Sequence, residues 1–183
     1  MNWVKSILIL LAAFLAVFLE ASFGGIRRIF GAQIDLLPAL IVYASLRTNI
    51  LTVTLLAVLG GLWFDTFSDN PLGVTILPLF LAGFLIHPRR DLILREQYYA
   101  QFVLGLSASA LVPLVVVLLL LSARQAPILG WGTIWQWLVV SVGGGLLTPV
   151  CFRLFDWLNR ALTYRPAIEI SFRPDREIRR GRN

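Results

Sequence analysis

The chain has 183 residues, 58% of them hydrophobic and 14% charged, against about 45–50% and about 25% in soluble domains. A soluble domain of this length buries only about 70% of the surface that its unfolded chain exposes, so this composition would leave large apolar patches in water and points to a membrane protein. Sixteen basic against ten acidic residues give a net charge of +6, and one cysteine with one histidine leave neither a disulfide framework nor a cluster for a zinc or haem site.

A membrane-crossing helix needs about 20 mainly apolar residues, with 17–25 the usual range, so the lengths of the charge-free runs divide the chain. Six runs result, at 6–19, 36–46, 48–64, 70–86, 97–123 and 125–152. The first follows Lys5 in the manner of a signal peptide. Only Ser22-Phe23-Gly24 resembles a cleavage site, however, and an uncleaved helix is expected. Asp35 is placed to cap the second run, with Pro38 in its first turn, and Asn70-Pro71 reads as the cap and first residue of the fourth.

Runs two and three together would make a helix of about 43 Å at 1.5 Å per residue, longer than a hydrocarbon core of about 30 Å. Such a helix would strand Arg47 in mid-membrane, at about 2.5–3.5 kcal/mol. A break at Arg47-Thr48-Asn49 avoids that and gives six spans. With the N-terminus inside, Lys5, Arg47, Arg89, Arg90, Arg95 and the eight arginines from Arg153 onward are cytoplasmic, against Arg27, Arg28 and Arg124 outside. The distribution follows the positive-inside rule. Five spans with the N-terminus outside satisfy the same count, and Arg47 decides between them. Trp3 and Trp157 mark inner helix ends, and Trp63, Trp131 and Trp135 outer ones.

The fold class expected is therefore all-α, a polytopic bundle of six transmembrane helices with a short second helix and both termini cytoplasmic. The bundle takes in 1–164, its last helix continuing past Phe152 into the interface. Residues 165–183 form a basic, mostly disordered cytoplasmic tail that carries Arg173, Arg176, Arg179, Arg180 and Arg182.

Chemistry-bearing residues are few. The sequence holds no HExxH or GxSxG motif and no paired acids of a lipid phosphotransferase, so no catalysis and no cofactor are expected. His87 reads as a structural or headgroup-facing residue, and Cys151 as a small packing residue. Glu20 is within reach of Arg27 and Arg28, and Asp156 of Arg153 or Arg160 at spacings of three and four. Asp65 has two readings, an exposed cap or turn residue and a docking residue above a close helix crossing. Gly60, and Gly61 with Ala57 in a small-xxx-small step, supply that crossing. Gly105 with Ser109, Gly143-Gly144-Gly145, and Ala12 with Ala16 are further packing sites, and Pro113 and Pro149 are placed to kink their helices. Arg89, Arg90 and the tail arginines can face anionic lipid, at about 1 kcal/mol each, or a cytoplasmic protein.

The order Asp35-Leu36-Leu37, then Gly60-Gly61 with Asp65, then Pro71-Leu72-Gly73 with Gly83 beyond, resembles the MreD family of bacterial rod shape-determining proteins. The resemblance covers about 35–86, with a weaker echo at Thr148-Pro149-Val150; the aromatic pair Trp63-Phe64 departs from the smaller aliphatic residues of that family. It implies a non-catalytic scaffold in the bacterial inner membrane, part of the elongasome that makes lateral peptidoglycan. The implied partners are MreC, through a transmembrane helix, and through the complex MreB, RodA and a penicillin-binding protein, with no nucleic acid. Asp35, Gly60, Gly61, Asp65, Pro71 and Gly73 are its motif residues here. A second likeness is to the S component of energy-coupling factor transporters, also a small six-helix bundle, in which Ala12 and Ala16 would dock a coupling subunit.

Overall fold

The computed structural model describes residues 2–22, 34–68, 71–90, 97–124 and 130–162. They form α1 (Asn2–Ser22), α2 (Leu37–Arg47), α3 (Ile50–Phe67), α4 (Ile76–Ile86) with a 3-10 turn at His87–Arg89, α5 (Tyr98–Ser122) and α6 (Trp131–Leu162). No strand occurs among the described residues.

Several of these helices keep apolar side chains on the faces that do not pack on protein. On α1, Ile9, Ala13, Ala16 and Val17 are buried at helical spacing while Ile7, Leu11, Leu15 and Phe18 are exposed. The helices α1, α3, α5 and α6 are long and apolar enough to cross a membrane; α2 and α4 are shorter.

Contacts at the helix ends fix the alternation. Ser6 and Thr52 share a hydroxyl hydrogen bond of 2.7 Å between the starts of α1 and α3. Arg47 at the end of α2 meets Asp156 near the end of α6, whose Arg153 lies over the ring of Tyr98 at the start of α5. Consecutive helices thus run in opposite directions, and Asn2 and Leu162 lie at the same end of the bundle.

The break at Arg47-Thr48-Asn49 is present. Thr48 and Asn49 are extended, and the Thr48 N–H and hydroxyl both donate to the Ala44 carbonyl, at 2.8 and 2.7 Å. The start of the fourth helix differs from expectation: α4 begins at Ile76, and Pro71 lies in the turn before it. The reason is Gly73, whose φ of +90° is a left-handed conformation that interrupts any helix begun at Pro71. Asn70 lies outside the described residues, as do Arg27, Arg28, Arg95 and the tail with Arg173, Arg176, Arg179, Arg180 and Arg182.

Shortest of the six with α4, α2 is also the most enclosed. Every residue from Leu37 to Leu46 is buried, among all five other helices. Eleven residues rise only about 16 Å, about half of a hydrocarbon core of roughly 30 Å. Buried backbone groups at the ends of so enclosed a helix need protein partners.

Candidate functional site

Side chains from elsewhere supply what the ends of α2 lack. At its start, the Leu36 N–H donates to Glu20 Oε1 at 2.7 Å and the Leu37 N–H to Asp35 Oδ1 at 2.8 Å, while Pro38 has no N–H to satisfy. Asp35 thus caps the helix from one residue further out than its cap position, Leu36. At the other end, His87 Nδ1 donates to the Ser45 carbonyl at 3.0 Å and Arg90 Nη1 to the Thr48 carbonyl at 3.3 Å. Acids stand at the amide end and basic groups at the carbonyl end, as the helix dipole favours. Tyr43, in mid-helix, stacks on Phe155 and meets Phe152 edge-on, and its hydroxyl accepts from Asn159 Nδ2 at 3.1 Å.

Asp65 closes the turn between α3 and α4. It is 2% exposed, which overturns the reading of it as an exposed cap. Its Oδ2 accepts from the Gly73 N–H at 2.8 Å and the Thr75 N–H at 3.2 Å, and its Oδ1 from the Thr75 hydroxyl. The left-handed Gly73 aims those two amides at one carboxylate. One turn earlier, a Cβ on Gly61 would stand 3.0 Å from the Ile76 backbone, and one on Gly60 would stand 3.0 Å from a methyl of Leu37. The two glycines therefore let α4 and α2 close onto α3 just below the carboxylate. Trp63 packs edge-on against Phe14 of α1 at 5.2 Å, so the aromatic departure noted in the sequence serves the α1–α3 contact.

Beside this turn a groove of about 580 Å³ opens between α5 and α6. Val112, Leu114, Val116, Val117 and Leu118 form one wall, Ile134, Trp137 and Val140 the other, and Asp35, Pro38, Phe64 and Thr75 the floor. Below it the same two helices touch through small residues. A Cβ on Gly105 would overlap Thr148, one on Gly144 would overlap Ser109, and one on Gly145 would stand 3.1 Å from Leu106 and Phe102. Ser109 and Thr148 are fully buried there.

The opposite end of the bundle is basic. Asp156 pairs with Arg47 at 3.2 Å, not with Arg153 or Arg160: Arg153 has turned to the Tyr98 ring, and α2 delivers a guanidinium to the same place. Lys5, Arg47, Arg89, Arg90, Arg153 and Arg160 share this end, with Arg89 exposed. The acids Glu20, Asp35 and Asp65 hold the other, where Arg124 is the one described Lys or Arg.

Sequence reasoning singled out Asp35, Gly60, Gly61, Asp65, Pro71 and Gly73, and the structure gathers them at the acidic end, Pro71 exposed in the turn. It did not single out Thr75 or Tyr43. Nor did it join Glu20 to α2. Cys151 is buried, and no group of His, Cys, Asp and Glu among the described residues is arranged to hold a metal ion. Compared with protein-family models, with curated proteins and with solved structures, the chain has no match.

Proposed function

We propose that this chain is a non-catalytic, multi-pass scaffold of the bacterial inner membrane, similar to MreD, that receives a transmembrane helix of MreC in the groove between α5 and α6. In this reading α2 and α4 complete six spans, the basic end faces the cytoplasm, and the chain serves lateral wall synthesis through MreB, RodA and a penicillin-binding protein. The observation that carries the proposal is the Asp65 turn. The residues on which the resemblance rests, Gly61, Asp65 and Gly73, assemble one device, and that device forms the groove's floor through Phe64 and Thr75. The groove's aliphatic walls suit a helix, since helices associate in lipid by close packing.

Co-purification of the full chain with MreC tests it. Gly61→Leu, which drives a side chain into the Ile76 backbone, and Val116→Trp, which fills the groove, are both expected to lose the complex. Val116→Trp is the more telling, because it leaves the Asp65 turn intact. Undiminished complex and normal cell width in both variants would remove the groove from the reading.

The volume of the groove favours one second reading, a small-molecule site like that of an S component. Its lining offers few polar groups, chiefly Asp35, Thr75, Thr133 and Gln136, which suits a vitamin poorly. A thermal-shift screen against a vitamin panel separates the two readings.

A further inference from the structure

At the basic end, α1, α2 and α6 enclose a second hollow, of about 270 Å³, whose lining is mostly polar. Lys5, Arg47, Asn159 and Asp156 face it, and Ile9 and Phe155 stand on its apolar side. Its hydrogen-bond inventory is unbalanced. Among the described residues Lys5 has no partner, and Arg47 uses Nη2 alone, on Asp156 Oδ2. A lysine carries three donors and an arginine five, so most of the donors in the hollow have no acceptor among the described residues. The Tyr43 hydroxyl, which accepts from Asn159, adds its own O–H. Against these stand Asp156 Oδ1, Asn159 Oδ1 and the hydroxyl oxygen of Thr48, which also lines the hollow. Among the described residues two cations face one carboxylate, an excess of one positive charge.

We propose that this hollow binds the phosphodiester of an anionic phospholipid. The group carries one negative charge, which balances the excess, and its oxygens only accept hydrogen bonds, as the unused donors require. Ile9 and Phe155 would meet the first carbons of the acyl chains. Basic pockets between membrane helices are suited to such headgroups. The assignment is independent of any protein partner in the α5–α6 groove, and it concerns residues other than the tail arginines.

The full chain in neutral detergent, titrated with phosphatidylglycerol and followed by native mass spectrometry, tests it. One tightly held phosphatidylglycerol per chain is expected, in preference to phosphatidylcholine. Lys5 is exposed and its substitution leaves the fold alone, so Lys5→Gln should weaken binding about fivefold, the worth of one basic residue near a lipid surface. Lys5→Glu should weaken it further and Lys5→Arg should restore it, while Arg179→Gln in the tail leaves it unchanged. Equal affinity of wild type and Lys5→Glu overturns the proposal, as do equal losses in the Lys5 and Arg179 variants, which would mean diffuse attraction. Inorganic phosphate that displaces the lipid at equal concentration would move the site from a lipid to a soluble phosphate ligand.

Discussion

Three donors converge on Asp65 where the side chain is almost wholly removed from solvent. Hydrogen bonds to a charged group contribute about 1.5–3 kcal/mol each, and a buried partner left unsatisfied costs about 1–3 kcal/mol. Thr75→Val, which removes the hydroxyl but keeps the shape and the amide, should destabilise the chain by about 1.5–3 kcal/mol. Thr75→Ser should recover most of that. Asp65→Asn should cost more than either, since its NH2 would face donors. Cys151 provides the readout: it is the sole cysteine and buried, so its labelling by a maleimide reports unfolding. Equal labelling rates in wild type and Thr75→Val would show that the hydroxyl contributes nothing. Asp65 stood out in the sequence as a carboxylate beside the glycines at a helix end, and Gly73 through the family resemblance. Their pairing was not. Thr75 is ten residues from Asp65, and only the left-handed Gly73 makes that separation a contact. Asp156 teaches the same lesson in reverse, because helical spacing named Arg153 and Arg160 while the true partner lies 109 residues away.

Helix against helix, the bundle depends on places where a side chain is missing. At the α5–α6 crossing a Cβ on Gly144 would overlap the hydroxyl of Ser109 and stand 2.6 Å from its Cβ. Overpacking of this kind costs about 1–3 kcal/mol. Gly144→Ala should therefore destabilise by that amount, and Ser109→Gly in the same chain should relieve most of it, because both clashing atoms leave. The pair should show non-additivity in a double-mutant cycle on Cys151 labelling, whereas additive effects would place the two residues apart. Gly61→Ala has no such rescue: its Cβ would meet the Ile76 backbone at 3.0 Å, and backbone cannot be trimmed. These crossings were foreseeable, since small residues spaced four apart announce close approach. That α2 would be short was legible from its run, but its enclosure was not read from the sequence. Its composition resembles that of its neighbours, and its enclosure follows from length, which leaves its ends to be capped by Glu20, Asp35, His87 and Arg90.

Taken as a whole, the molecule separates its charge along the bundle. Glu20, Asp35 and Asp65 cluster at one end, and six of the seven described Lys and Arg residues at the other. The separation was legible in the sequence, because charge-free runs alternate with charged joints and each joint can be assigned to a side once Arg47 is taken as a joint. The break between α2 and α3 falls at that residue. The proposed orientation, with the basic end in the cytoplasm, rests on insertion energetics, since lysines and arginines in short loops are retained inside. An alkaline phosphatase fused after Asn183 should accordingly be inactive, and one fused in the connection at Arg124 active. Orientation rests on the whole distribution, so one added charge should not reverse it. Lys5→Glu should keep the same pattern at both fusion sites, while three arginines added after Arg124 should produce a mixed population. An active fusion at the C-terminus of the unaltered chain would invert the bundle, move the phospholipid hollow to the outer surface, and turn the α5–α6 groove away from any helix entering through the periplasmic half.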